Sequence, residues 1–303
     1  MKLQKGDVAV VTGAGSGIGF ALAETFARRG LNVVAADVDP AALDDAAARL
    51  GEHGTEIHAV PTDVTREEQV QALAAATLDR FGGVHVVCNN AGVMSKGDPW
   101  GGPIAAWEWV VGVNLWGVVY GVRAFLPHLA VGGRGHIVNT ASMAGLYPGL
   151  SAIYDATKHA VVAITENLYQ DLLTAGIPVG VSVLCPGWVR TKIIDAERNW
   201  PSDRGAKPEE SAAMSVVEPH VRRAIDEGMT PAAVADVVAT GIEENRFWLI
   251  THPHWMPMTV ARWDSIAEGV NPEPLEELPE LPPKSQIIAE ALAAMAEAAP
   301  PDA

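Results

Sequence analysis

The chain has 303 residues, an apolar fraction of 49%, 29 glycines and a formal charge of −16. Length and composition suit one large or two small α/β domains with a substantial core. The charge argues against nucleic acid, whose phosphates call for a basic footprint. Cys88 and Cys185 are the two cysteines, so no disulfide framework is implied and a reducing compartment is expected. The start, M-K-L-Q-K-G-D-V, lacks the apolar run and cleavage site of a signal peptide. No uninterrupted apolar stretch reads as long enough to cross a bilayer. A cytoplasmic protein with no membrane partner is the expectation.

Strand-like and helix-like segments alternate from the first residues. Val8–Val11 reads as a buried strand, Gly17–Arg29 as a helix, Asn32–Ala36 as a second strand and Pro40–Leu50 as an alanine-rich helix ending before Gly51. Ile57–Val60 is a third strand, followed by a helix over Arg66–Phe81 closed by Gly82 and Gly83. Val84–Cys88, His136–Thr140, Val179–Leu184 and Phe247–Ile250 supply four more strands, with helices expected over 104–130 and 151–175. Continuous apolar strands separated by helices indicate a parallel sheet covered on both faces. Right-handed crossovers make it an α/β doubly wound, seven-stranded Rossmann sheet. Residues 190–230, polar and broken by prolines, read as a helical lid within a domain spanning 1–270. Residues 271–303 form a C-terminal extension: a Pro/Glu run, E-P-L-E-E-L-P-E, read as a solvated tail, then a helix candidate over Gln286–Ala298.

Between the first strand and first helix lies T-G-A-G-S-G-I-G, residues 12–19. Glycines there let backbone approach a pyrophosphate at a helix N-terminus, where unpaired N–H groups and the dipole favour an anion. Asp37 ends the second strand about 20 residues on, where a carboxylate binds ribose hydroxyls. A 2′-phosphate beside it would meet a like charge, costing roughly 4 kcal/mol at about 4 Å and an effective dielectric of 20. Neither Ser16 nor Val38 is basic, so NAD is favoured over NADP. Tyr154 and Lys158 lie one helical turn apart, within mutual reach. A neighbouring ammonium stabilises a phenolate, which is otherwise scarce at neutral pH. The positive charge of an oxidised nicotinamide acts in the same direction. The same spacing also occurs as ordinary helix surface.

The spacing T-G-x-x-x-G-x-G, with N-N-A-G at 89–92 and Y-x-x-x-K at 154–158, resembles the short-chain dehydrogenase/reductase family over roughly residues 5–250. The resemblance implies a dinucleotide site built on Gly13, Ser16, Gly17, Ile18, Gly19, Asp37 and Val38. Asp63 and Val64 would hold the adenine, and Asn90, Ala91 and Gly92 would line the cleft with Tyr154 and Lys158. Pro186, Gly187, Val189 and Thr191 would surround the nicotinamide amide. The implied catalytic group is Ser142, which positions the substrate oxygen, Tyr154 as base, Lys158, and Asn114, which holds a water relaying protons through Lys158. Read alone, Asn114 is equally a core or capping amide. Tyr154 follows Ser142 by twelve residues, where thirteen is a common family spacing. The intervening loop, G-L-Y-P-G-L-S, absorbs such a deletion.

The segments after the fourth, fifth and sixth strands carry Met94, Met143, Tyr147 and Trp188 as candidate substrate contacts, with Trp200 nearby. They favour an apolar secondary alcohol or its ketone: cyclic, aromatic, terpenoid or steroid-like. Reduction of 3-oxoacyl chains on acyl carrier protein is opposed by like charge unless Arg222 and Arg223 face the mouth. A non-catalytic dinucleotide-sensing scaffold need not keep serine, tyrosine, lysine and asparagine together. A sugar-nucleotide epimerase would carry a different glycine turn. No metal is expected, because His252 and His254 lack a third ligand. Both cysteines read as structural, although Cys185 lies close enough to the nicotinamide motif to be sensitive to oxidation. A homodimer or homotetramer is expected, packed through the long helices that carry Trp107, Trp109 and Trp116.

Overall fold

Runs of valine and alanine form the strands that the sequence predicts, because β-branched and small side chains fill a sheet covered on both faces. In the computed structural model, which describes residues 1–149, 151–272 and 277–290, these are β1 (Val8–Thr12), β2 (Asn32–Asp37), β3 (Ile57–Pro61), β4 (Val86–Asn89), β5 (Gly135–Thr140), β6 (Val179–Cys185) and β7 (Trp248–Ile250). All pair in parallel, in the order β3-β2-β1-β4-β5-β6-β7. Strand order reverses between β1 and β4, opening a crevice at the carboxyl edge of the sheet.

On one face, α1 (Gly17–Arg28), α2 (Pro40–Gly51) and α8 (Pro231–Glu244) bury Phe26, Leu50 and Val238 against β1 and β2. On the other, α3 (Glu67–Phe81), α4 (Ile104–Val111), α5 (Gly117–Gly132) and α6 (Ala152–Ala175) bury Leu73, Trp109, Phe125 and Ile153. Asp39 caps α2 by accepting from the N–H groups of Ala41 and Ala42, with Pro40 in the first turn. Gly51 belongs to the last turn of α2 rather than lying past it. Gly82 closes α3 in the left-handed region, at φ 73°.

A π-helical turn, Gly112–Trp116, joins α4 to α5 without a break. The resulting helix, Ile104–Gly132, has 29 residues and contains an 18-residue stretch of mean hydropathy 1.4, long and apolar enough to cross a membrane by length and composition alone. The sequence reading missed this because Glu108, Arg123 and His128 interrupt the run. In the fold the helix flanks the sheet, with Trp109 and Phe125 in the core. Trp109 stacks edge-on against Trp200, at 5.1 Å between ring centroids, so it is committed within the chain. Trp116 is exposed and stacks on Tyr120.

Two short 3-10 turns, Ile193–Asn199 and Ser202–Arg204, lead to α7 (Ala212–Glu227) in the region read as a lid. After β7, α9 (Met256–Glu268) ends at Gly269. The acidic run departs from the expected solvated tail in its second half. Leu278 is 9% exposed and joins the cluster containing Tyr147 and Trp255, because apolar leucines punctuate the glutamates. Residues 284–290 are helical. The rest of the helix expected over Gln286–Ala298, and Glu273 to Glu276 of the acidic run, lie outside the described residues.

Candidate active site

The turn after β1 takes a shape that glycine alone permits. A Cβ on Gly19 would sit 2.0 Å from the Gly13 carbonyl oxygen, and one on Gly13, at φ +68°, 2.9 Å from the Ala91 backbone. The Ser16 side chain makes no cap hydrogen bond at the start of α1, leaving first-turn N–H groups for an anion. Thr12, to which the sequence reading gave no role, ties this turn to the next loop. Its hydroxyl accepts from the N–H groups of Asn90 and Ala91 at 2.9 and 3.1 Å. The Asn90 amide donates to the Thr12 carbonyl at 3.0 Å. Its place as the last residue of β1, just before the glycines, was the available signal.

Asp37 ends β2 with its carboxylate against the turn. One oxygen accepts from the Gly15 N–H at 2.8 Å and the other from Asp39 at 3.0 Å. A side chain on Gly15 would press on that carboxylate. Arg49, unremarked in the sequence, lines the same end of the cavity. It lies 4.0 Å over the Phe20 ring and forms a solvent-exposed pair with Asp45 at 3.6 Å. These residues border a cavity of about 1160 Å³ that runs past Asp63, Val64, Asn90, Ala91 and Gly92 to Pro186, Gly187, Val189 and Thr191. A glycine cradle at one end, a carboxylate beside it and a long cleft beyond fit a dinucleotide.

Three of the four expected catalytic residues line that cavity together: Ser142, Tyr154 and Lys158. Ser142 follows β5, and its hydroxyl accepts from the Ala144 N–H at 3.1 Å. Tyr154 and Lys158 project from one side of α6. The Lys158 ammonium donates to the Thr140 carbonyl at 2.8 Å and lies 5.4 Å from the Tyr154 ring centroid. Burial pushes the phenol up to about 12, opposed by a hydrogen bond from Ser142. Burial pushes Lys158 down to about 8. The lowered phenol expected from the pair is therefore absent in the protein alone, where desolvation, joined by the nearby Asp155 charge, outweighs the Ser142 hydrogen bond.

Asn114 stands apart from the cavity. Fully buried in the π-helical turn, it accepts from the Val93 N–H at 2.8 Å and donates to the Val93 carbonyl at 2.9 Å and the Thr157 hydroxyl at 3.2 Å. Its side chain thus clamps the loop after β4 to α6. Met94, Tyr147 and Trp188 border the cavity; Met143 does not. Met143 is instead buried in the core beside Val161 and Val183. Ser142 caps the short turn that begins at Met143, so neighbours in sequence serve cavity and core. Trp200 packs on Trp109 rather than on the cavity. Cys185 is fully buried and its thiol is pushed up to about 12, which agrees with a structural cysteine and opposes sensitivity to oxidation.

Residues 190–230 are anchored to the loop after β4. Buried Glu197 accepts from the Ser95 hydroxyl and the Lys96 N–H, both at 2.9 Å. Lys96 reaches Glu210 and Glu218 at 3.1 Å each. Among the described residues, no group of three or more His, Cys, Asp or Glu side chains could hold a metal. The buried His252 ring accepts from the Gly187 N–H at 3.1 Å, while His254 pairs with Glu280 at 2.9 Å.

Residues 7–202 match the family model for short chain dehydrogenases. The chain is 45% identical over 213 residues to a 1-deoxy-11-beta-hydroxypentalenate dehydrogenase of Streptomyces exfoliatus, covering 68% of this chain and 77% of that one. It is 33% identical over 280 residues to a CLA biosynthesis dehydrogenase/reductase of Lactiplantibacillus plantarum, covering 90% and 97%. A short chain dehydrogenase/reductase from Burkholderia phymatum, solved in complex with NAD, superposes with a TM-score of 0.88 at 43% identity, over 92% of this chain and all of that one. With its glycine turn, parallel seven-stranded sheet and Tyr-Lys helix, the chain belongs to the short chain dehydrogenase family.

Proposed function

We propose that the protein is an NAD-dependent oxidoreductase that interconverts a hydrophobic secondary alcohol and its ketone. The observation that carries this reading is the convergence of Ser142, Tyr154 and Lys158 on a cleft whose other end is a glycine cradle beside Asp37. Bound NAD supplies the hydride acceptor. Tyr154 takes the hydroxyl proton as base, with Ser142 holding the substrate oxygen beside the phenol. Lys158 supplies positive charge that favours the phenolate once the site is loaded. Asn114 acts by position, fixing the loop after β4 against α6. Asp37 favours NAD, since its carboxylate would repel a 2′-phosphate. The solved relative complexed with NAD supports the same choice. An apolar substrate suits Met94 and Trp188 in the cavity wall, and one relative is a dehydrogenase of a hydroxypentalenate.

The 3-oxoacyl reading calls on Arg222 and Arg223, neither of which borders the cavity. Arg222 pairs with Asp195 and Glu218, and Arg223 with Glu227. Exposed Ile104 and Trp116 on the long helix suit a contact between copies in a homodimer or homotetramer, which light scattering would size. The function is tested by offering a panel of hydrophobic secondary alcohols with NAD and NADP and following absorbance of the reduced nicotinamide. Oxidation of cyclic apolar alcohols with NAD preferred is the expected result. Oxidation of none, or a preference for NADP, overturns the reading.

A further inference from the structure

We propose that the C-terminal segment Leu278–Leu281 is the specificity-determining wall of the substrate pocket, fitting it to compact alicyclic alcohols and closing it to extended chains. Leu278 and Pro279 border the same cavity as Tyr154 and Ser142. Leu278 is buried with Tyr147 and Trp255, and Leu281 packs both on that cluster and on the one containing Met94 and Met214 of the lid. The segment therefore wedges between the lid and the loop after β7.

Its fixation is polar and specific. The Trp188 indole donates to the Pro279 carbonyl at 2.9 Å. The Glu280 carboxylate takes His254 at 2.9 Å and the Trp255 indole at 3.3 Å. Glu280 holds φ at 61°, a conformation uncommon for a residue other than glycine. Both indole N–H groups are spent on the segment itself, so these tryptophans offer carbon faces to the cavity. A rigid ring system can fill such an end against leucine, proline and tryptophan, whereas a chain extending past it must displace the segment.

This inference rests on the proposed alcohol oxidation, and its test separates the two. Full-length wild type, Leu278→Ala and Glu280→Ala are compared on borneol and 2-decanol, which have the same number of carbons. Wild type is expected to favour borneol in kcat/KM by roughly tenfold or more, the scale of discrimination a shaped apolar pocket achieves. Both variants should reduce that ratio by about tenfold, chiefly through KM. Quenching of tryptophan emission by camphor and 2-decanone should shift in the same sense without turnover. Glu280 lies outside the cavity wall, so its variant carries the test if Leu278→Ala fails to fold. A wild-type preference for 2-decanol, or a ratio unchanged in the variants, overturns the inference alone. A wild type that oxidises no secondary alcohol overturns the function and the inference together.

Discussion

A protonated amine buried away from solvent raises the free energy of the folded chain, and Lys158, 2% exposed, is such an amine. Its folded value, pushed down to about 8 by burial, lies below the ordinary lysine value near 10.4. Between those two values the unfolded chain binds more protons than the folded one, so this group makes stability rise with pH across that window. Below about pH 8 the group is charged in both states and its full burial cost, on the order of a few kcal/mol, is present. Thermal melts of Lys158→Met should lose that rise, and the variant should gain on wild type as pH falls from 10 to 8. A wild-type and variant pair with parallel profiles would contradict this. Tyr154 works in the opposite sense: its phenol, pushed up to about 12, must lose a proton to act as base. Alcohol oxidation should therefore speed up as pH rises and ketone reduction as it falls, read from initial rates in each direction. At Asp37, replacement by serine should cut the NAD-to-NADP ratio of kcat/KM by roughly ten- to a hundredfold, since about 1.4 kcal/mol of repulsion removed is worth tenfold.

At the scale of elements, the site depends on how tightly neighbouring pieces approach. A methyl on Gly19 collides with the Gly13 carbonyl and the Asn90 amide, so Gly19→Ala must open the turn itself. It should abolish binding of reduced nicotinamide, followed by its fluorescence, and cost about 1–3 kcal/mol in urea melts. Glu197 joins the 3-10 turn Ile193–Asn199 to the loop after β4 through two hydrogen bonds. Glu197→Ala leaves the Ser95 hydroxyl and Lys96 N–H without that partner, costing about 1–3 kcal/mol, and should raise KM more than it lowers kcat. The strands and the helices α1 to α3 were legible in sequence because burial there follows local pattern: valine runs, Pro40 after Asp39, Gly82 after Phe81. The docking of residues 190–230 was not, because Lys96 lies 101 residues from Glu197 and 122 from Glu218, and none of the three carries a periodic signal.

Across the whole molecule, the parallel sheet brings together the ends of strands far apart in sequence, and with them Gly13, Asp37, Ser142, Tyr154 and Pro186. The glycine turn and the Tyr-Lys spacing were readable because each is a local geometric demand. Met143 was misplaced because adjacent residues around a capped turn face opposite ways, which spacing alone does not reveal. Asn114 was ambiguous for a related reason: an asparagine that bonds backbone 21 residues away looks in sequence like any helix amide. The acidic C-terminal run looked solvated because charge dominates its composition, yet two leucines and a carboxylate paired with His254 pin part of it to the fold. The claim on which the account turns is that the Tyr154 oxygen accepts the proton as the substrate loses hydride. Turnover of an alcohol that wild type oxidises is therefore to be measured for Tyr154→Phe, alongside its affinity for reduced nicotinamide. Cofactor affinity should be unchanged and kcat should fall by about a hundredfold or more, the contribution of a positioned general base; turnover within tenfold of wild type would contradict that claim.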